Sequence, residues 1–384
     1  MLLPWCKEDR CEARPSSSQT SRRKSRYEPA LHEGGDDEAY IDTIAAQIAA
    51  LMEKGYQVLL VSSGAIGMGA KELRLKGPVK QTALRQACAS IGNPLLMSSY
   101  RRAFKAHNLI CSQILLTRLD VNNRRTYVNL RNSVSTLLEL GVVPIFNEND
   151  VVSIDSLGSA FGDNDRMSAF IASKIDAELL IILTDIDGLY DADPKKDPEA
   201  NLLSEIDTLD STILSYASGA GSTYATGGMK TKLLAAKIAS FAGCGTIIAS
   251  GYESDIMVRI LDGEQLGTYI HPAKALSQRQ RWILNNSFQG AIVIDEGAKN
   301  ALLRKKSLLP KGVVKVDGTF AEGAIIEVRT PDGSPFARAV SSFSSADLRQ
   351  VAGHDSSEFT AILGNSHKGV IFRPEDMVFL EHDD

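Results

Sequence analysis

Two clusters of amides and carboxylates have the residue types for ligand chemistry: Asn147-Glu148-Asn149-Asp150 and, after a short linker, Gly162-Asp163-Asn164-Asp165. The first follows the apolar run Val142-Val143-Pro144-Ile145-Phe146, and the second opens a helical pattern. Both are thereby placed where open α/β sheets bind ligands, beyond the carboxyl ends of strands. Asn and Asp also form turns and cap helices, and a single cluster would be read that way; two joined by a short loop favour a site. A third stretch, Thr226-Gly227-Gly228-Met229-Lys230-Thr231-Lys232, sits at a helix start. Its glycines expose backbone N–H groups, the helix N-terminus carries partial positive charge, and Lys232 is available to neutralise a transferring phosphoryl group. The pattern G-x-x-x-x-G-K-[ST] is absent, and no Ser–His–Asp arrangement competes. Phosphoryl transfer asks a protein mainly for positioning and charge stabilisation. A polar pocket facing a Gly/Lys phosphate loop therefore suits a kinase for a small, amine-bearing substrate. Asp150 would face an α-ammonium group, and Ser63 with nearby N–H groups would face a carboxylate.

The elements that must hold these loops follow from periodicity. Ile41, Ile44, Ala45, Ile48, Leu51 and Met52 mark one face of a helix that stops at Gly55. Val58–Val61 reads as a buried strand running into the small-residue loop Ser62–Gly69, whose glycines let a backbone approach a ligand or serve packing alone. A helical stretch from Lys80 to His107 is expected to break near Asn93-Pro94; Cys111–Leu116 reads as a strand and Asn123–Leu140 as a helix. Met167–Lys174 (helix), Leu179–Leu183 (strand) ending in Thr184-Asp185-Ile186-Asp187, a helix after Lys232 and the strand Thr246–Ala249 complete the alternation. Alternating strands and helices predict an α/β fold, a mostly parallel sheet sandwiched by helices. Beyond a linker at 271–287 the strands become short. Val313–Val316 and Ile325–Val328 suggest a hairpin about Asp317-Gly318, with further strands at Ala339-Val340 and Val370-Ile371. The expected domains are 38–270 and a small, mostly-β barrel over 288–376.

Composition narrows the function classes. A net charge of −5 disfavours a general polyanion binder, and no apolar run approaches the ~20 residues of a membrane helix. The five scattered cysteines lack C-x-x-C spacing and read as reduced cytoplasmic thiols; the six histidines show no metal-ligand spacing.

The segments V-S-S-G-A-I (61–66), P-I-F-N-E-N-D (144–150), F-G-D-N-D (161–165), L-T-D-I-D-G-L-Y (183–190), D-A-D-P (191–194) and T-G-G-M-K-T-K (226–232) occur in one order and spacing. Together they resemble the glutamate 5-kinases of the amino-acid kinase family, and L-L-P-K-G-V (308–313) with V-A-G-H (351–354) resembles the PUA domain appended to them. The resemblance implies the amino-acid kinase fold with a PUA-like barrel. It implies ATP-dependent phosphorylation of the γ-carboxylate of L-glutamate to L-glutamyl 5-phosphate, the first step of L-proline biosynthesis, with ATP and Mg²⁺ as cofactors, in the cytoplasm. By motif, Ser63, Asp150 and Asn164 would hold glutamate. Thr184, Asp185, Thr226, Gly227, Gly228, Met229, Lys230, Thr231 and Lys232 would hold ATP. Lys232 and Asp165 would be catalytic, the carboxylate orienting the lysine, with no protein metal ligand assigned. Implied partners are L-proline as feedback inhibitor, further copies in a homo-oligomer, glutamyl phosphate reductase, and RNA through the PUA-like domain, with no membrane.

The chain departs from the family pattern at its start. A strand and a V-K-[IL]-G-[ST]-S-like phosphate loop are expected there; the corresponding place holds Arg22-Arg23-Lys24-Ser25-Arg26, without a preceding apolar strand or a glycine. Residues 1–37 read as an atypical, disordered segment or a shifted start, and Lys24 is not assigned the role of the loop lysine. The sheet is expected to lack its first strand. Losing one cation from a phosphoryl-transfer site can cost ~10³–10⁵ in rate. The alternative functions are accordingly a catalytically impaired glutamate- or proline-binding relative, or an RNA-binding protein that uses Lys305, Lys306, Lys311 and Lys315.

Overall fold

The structure, a computed structural model, describes residues 2–5, 37–122, 124–153, 164–194, 196–197, 199–217, 228–273, 276–355, 358–364 and 369–380. The chain divides into two compact units, Met1–Ala275 and Leu276–Asp384.

In the first unit the elements run β1 (Leu2–Trp5), α1 (Asp37–Glu53), β2 (Gln57–Val61), α2 (Ala65–Glu72), α3 (Thr82–Ala106), β3 (Ile110–Leu116), α4 (Arg118–Asn122), α5 (Arg124–Glu139) and β4 (Val142–Glu148). They continue with α6 (Asn164–Ile175), β5 (Leu179–Thr184), β6 (Glu205–Ile206), α7 (Ser211–Tyr216), α8 (Met229–Ser240), β7 (Gly245–Ser250), α9 (Ile256–Leu261) and β8 (Thr268–Ile270). The strands form one sheet in the order β3-β4-β2-β1-β5-β7-β8-β6. The pairs β3–β4, β4–β2, β5–β7 and β6–β8 are parallel. Alternation along β2 explains the layers. Leu59 and Val61 face a core with Phe146, Ile182 and the apolar sides of α5, α6 and α8, while Val58 and Leu60 face a second core with Ile145, Ile181 and residues of α1, α3 and α9. Burial on both sides is what makes these strands continuous apolar runs in the sequence.

The fold corrects five expectations. The sheet does not lack a strand between β2 and β5: β1 fills the slot, pairing Leu2 with Leu60, Trp5 with Gln57, and Leu2 with Ile181, antiparallel to both neighbours. A four-residue apolar run carries no period long enough to announce a strand. The remaining residues of that opening segment, Lys24 among them, lie outside the described residues. Helix α3 runs unbroken through Pro94; burial of Leu96, Tyr100 and Phe104 on its core face holds the turn whose hydrogen bond proline deletes. The Ser62–Gly69 stretch is a loop only to Gly64, whose φ of 102° starts α2 at Ala65. Gly69 serves packing, whereas a Cβ on Gly67 would meet open space. A Cβ on Gly69 would lie 1.9 Å from the Cys88 carbonyl oxygen, and one on Gly92 only 1.7 Å from that of Ala65. Helices α2 and α3 therefore touch backbone to backbone.

The second unit comprises α10 (Gln278–Asn285), β9 (Gly290–Ile294), α11 (Glu296–Leu303), β10 (Val313–Gly318), β11 (Ile325–Arg329), β12 (Pro335–Val340), α12 (Ser345–Val351), α13 (Phe359–Leu363) and β13 (Met377–Phe379). Its sheet order is β10-β9-β11-β12-β13. The expected hairpin across Asp317-Gly318 is the fourth correction: β10 and β11 flank β9, antiparallel and parallel to it respectively. The sequence Asp-Gly signals a turn but not the partner across it. Val370-Ile371 forms no named strand; the adjacent Phe372 makes an isolated bridge to Leu308.

Gly92→Ala is expected to destabilise the first unit by about 1–3 kcal/mol, the usual cost of overpacking, since backbone and not a pliable side chain must give way. Thermal unfolding would register this as a midpoint lowered by several degrees, ~2–4 °C per kcal/mol for a domain of this size; an unchanged midpoint would contradict the close approach.

Candidate active site

The carboxyl ends of β2, β4 and β5 lie on one edge of the sheet, because β2 and β4 are parallel and both β2 and β5 are antiparallel to β1. Around that edge lies a cavity of about 470 Å³. It brings together Ser63 after β2, Asp150 after β4, Asn164 and Asp165 at the start of α6, and Lys232 in the first turn of α8. Five residues proposed from the sequence for chemistry or amino-acid binding thus share one space.

Its centre is a buried ion pair. Lys232 Nζ donates to Asp165 Oδ2 at 3.1 Å, with side-chain exposures of 10% and 11%. Thr231 Oγ1 lies 2.9 Å from the same carboxylate oxygen and 2.7 Å from the Gly228 carbonyl, so its single proton is shared or alternates between them. Asp165 stands in the first turn of its helix, where the unpaired N–H groups and the dipole favour a negative charge. Helices α6 and α8 thus meet through their N-terminal turns, and the lysine is held where those positive ends converge.

The residues expected from the sequence to hold the amino acid are set by hydrogen bonds from neighbouring elements. Asn164 Nδ2 donates to the Ser62 carbonyl at 3.1 Å, tying α6 to the turn after β2. The Ser62 hydroxyl pairs with the Tyr100 hydroxyl at 3.0 Å, while Ser62 N–H donates to the Phe146 carbonyl at 2.9 Å. Burial pushes the Tyr100 hydroxyl above its ordinary pKa, opposed by the Ser62 hydrogen bond, and keeps it a neutral partner. Asn147 and Glu148 belong to β4 and not to a loop. Asn147 Nδ2 donates to Asn93 Oδ1 at 3.3 Å, and its own Oδ1 accepts from Glu148 N–H at 2.9 Å. Glu148 accepts from the Ser153 hydroxyl at 2.7 Å.

The residues expected from the sequence to hold a nucleotide are more dispersed. Thr184 ends β5 and donates through its hydroxyl to Asp185 Oδ1 at 3.1 Å; neither lines the cavity. Gly228 is the N-cap of α8. Met229 has its side chain in the hydrophobic core, so it can offer a nucleotide only backbone, and Lys230 is exposed. Gly162, Asp163, Thr226 and Gly227 lie outside the described residues. Arg85, from α3, lines the cavity and was not singled out in the sequence; a single arginine at the start of a helix carries no motif, and only the packing of α2 on α3 brings it in. No cluster of three or more Asp, Glu, His or Cys suited to a metal exists among the described residues.

Known proteins share this sequence pattern. The profile of the Amino acid kinase family matches residues 29–250, and that of the PUA domain residues 290–363. A protein of Methanosarcina mazei named glutamate 5-kinase is 42% identical over 346 residues, 90% of each chain. One from Methanococcoides burtonii with the same name is 44% identical over 333 residues, 86% of this chain and 88% of its own. One from a Geobacter species, again so named, is 41% identical over 350 residues, 90% of this chain and 93% of its own. With a family profile spanning more than half of it and relatives of this similarity over nearly its whole length, the chain belongs to the amino acid kinase family, in the branch of the glutamate 5-kinases that carry a PUA domain.

Proposed function

We propose that the chain transfers the γ-phosphoryl group of ATP to the γ-carboxylate of L-glutamate, giving L-glutamyl 5-phosphate and ADP for L-proline synthesis. The observation that carries this reading is the buried Asp165–Lys232 pair at the wall of a cavity whose other polar groups suit an amino acid. A γ-carboxylate oxygen attacks the γ-phosphorus; the new O–P bond forms as the bond to the β-phosphate oxygen breaks, and ADP leaves with that electron pair. Lys232 counters the charge spread over the equatorial phosphoryl oxygens, and the N-terminal turn of α8 adds its dipole. Asp165 keeps the ammonium in place, so little reorganisation is needed as charge develops. Asp150 receives the α-ammonium of glutamate, and Asn164 and Ser63 donate to its oxygens. Thr184, Asp185 and the Gly228–Thr231 backbone serve the nucleotide, and Mg²⁺ would supply further charge neutralisation when bound. Inhibition by L-proline, homo-oligomerisation, delivery to glutamyl phosphate reductase and RNA binding by the second unit rest on the family resemblance alone and enter none of these steps. No helix among the described residues is long and apolar enough to cross a membrane.

Hydroxylamine trapping of the acyl phosphate should give hydroxamate that depends on both ATP and L-glutamate; turnover of L-aspartate or N-acetyl-L-glutamate in its place would refute the substrate assignment. Asp165→Leu and Lys232→Met separate stability from chemistry. Each alone leaves one buried charge without its partner and should cost about 3–5 kcal/mol in denaturant unfolding. The double variant should recover much of that stability while hydroxamate formation stays at least ~10³-fold down, the scale of a lost cation in phosphoryl transfer. Activity recovered together with stability would remove Lys232 from the chemistry.

A further inference from the structure

Among the described residues, the cavity is lined by two cations, Arg85 and Lys232, and three carboxylates, Glu148, Asp150 and Asp165. Lys232 is paired with Asp165. Among the described residues, the Arg85 guanidinium makes no hydrogen bond or ion pair. The residue is exposed, and the backbone that carries it is fixed. Arg85 lies in the first turn of α3, one turn before the Cys88 carbonyl that packs against Gly69 of α2. The opening of α2, Ala65 to Gly67, lines the same cavity, and its first N–H groups precede the helical bond from Met68 N–H to the Gly64 carbonyl.

An acceptor with two carboxylates and one ammonium calls for a second positive charge, which Lys232, Asp150 and the neutral donors Ser63 and Asn164 do not supply. The reacting carboxylate lies toward Lys232 and the ammonium toward Asp150. The second carboxylate would then meet Arg85, the cation that lines the cavity beside Lys232 among the described residues. An arginine answers this charge with a planar fork of donors that fits a carboxylate bidentately. We infer that Arg85 binds the α-carboxylate of the acceptor amino acid, between its guanidinium and the N–H groups opening α2, and so makes a free α-carboxylate a requirement of the substrate. This role rests on the chain being an amino-acid kinase, and it falls to a residue that no motif in the sequence marks.

The test uses the full chain, Arg85→Met, Arg85→Lys, and two acceptors: L-glutamate and its α-amide, L-isoglutamine. Arg85→Met should raise KM for L-glutamate about 10- to 100-fold, the scale of a lost charge-assisted hydrogen bond, with kcat and KM for ATP changed less than about threefold. The preference of the unaltered chain for L-glutamate over L-isoglutamine should collapse in Arg85→Met and return in part in Arg85→Lys, which restores the charge without the fork. A general loss of fold would raise KM for ATP and lower activity on both acceptors alike, and Arg85→Lys then decides through its preference ratio. If the unaltered chain turns over neither acceptor, the kinase reading fails; calorimetric binding of the same two amino acids still reads the Arg85 assignment. An unchanged glutamate-to-isoglutamine ratio, in turnover or in binding, overturns it.

Discussion

The site depends on a carboxylate that holds a lysine. Asp165 accepts from Lys232 and lies within hydrogen-bonding distance of the Thr231 hydroxyl, so one buried side chain joins the first turn of α6 to the first turn of α8. Desolvating such a pair is expensive, and a packed apolar pair of similar volume would often be as stable or more so. What the pair provides is a fixed ammonium in a low-dielectric setting, where it needs no reorganisation when charge develops on a transferring group. The two helix ends supply the field that makes both the carboxylate and an incoming phosphate acceptable there.

In the proposed function, the remainder of the first unit brings a second substrate to that lysine. Parallel β2 and β4 deliver Ser63 and Asp150 to the same edge. Asn164, adjacent to Asp165 in α6, ties the lysine node to the turn after β2 through the Ser62 carbonyl. Tyr100 and Asn93, from the interior of α3, brace Ser62 and Asn147 from beneath. The glycine contacts between α2 and α3 make this bracing rigid, and they bring Arg85 to a cavity from which its sequence position gives no hint. The strand slot between β2 and β5 is filled by β1 in the opposite direction to the sheet's main strands. Among the described residues, Lys232 is accordingly the cation assigned to the reacting end.

Much of this was legible in the sequence because the physical signals were local. Apolar runs such as Val58–Val61 and Val142–Phe146 could be read as doubly buried strands, and Asn164-Asp165 as the opening of a helix. The misreadings arose where tertiary contacts overruled local preference. Pro94 ought to break a helix, but the buried face of α3 on either side of it does not allow the break. Gly67 and Gly69 look like loop residues; one is in the first turns of α2 and the other packs under Cys88. Leu2–Trp5 is too short to show a period, and only a vacant position in the sheet gives it a partner. The β10–β11 hairpin failed because a turn dipeptide specifies a reversal and leaves the neighbouring strand open.

The most direct test of the central claim is the fate of an oxygen atom. L-Glutamate labelled with ¹⁸O in its γ-carboxylate would be incubated with the chain and ATP, and the phosphate released when the acyl phosphate closes to 5-oxoproline examined by ³¹P NMR. Because the substrate carboxylate attacks phosphorus and the later ring closure cleaves the C–O bond, the released phosphate should carry one ¹⁸O. Phosphate free of the label, produced at the same rate, would mean that water and not the γ-carboxylate is the acceptor, and would contradict transfer of the phosphoryl group to glutamate.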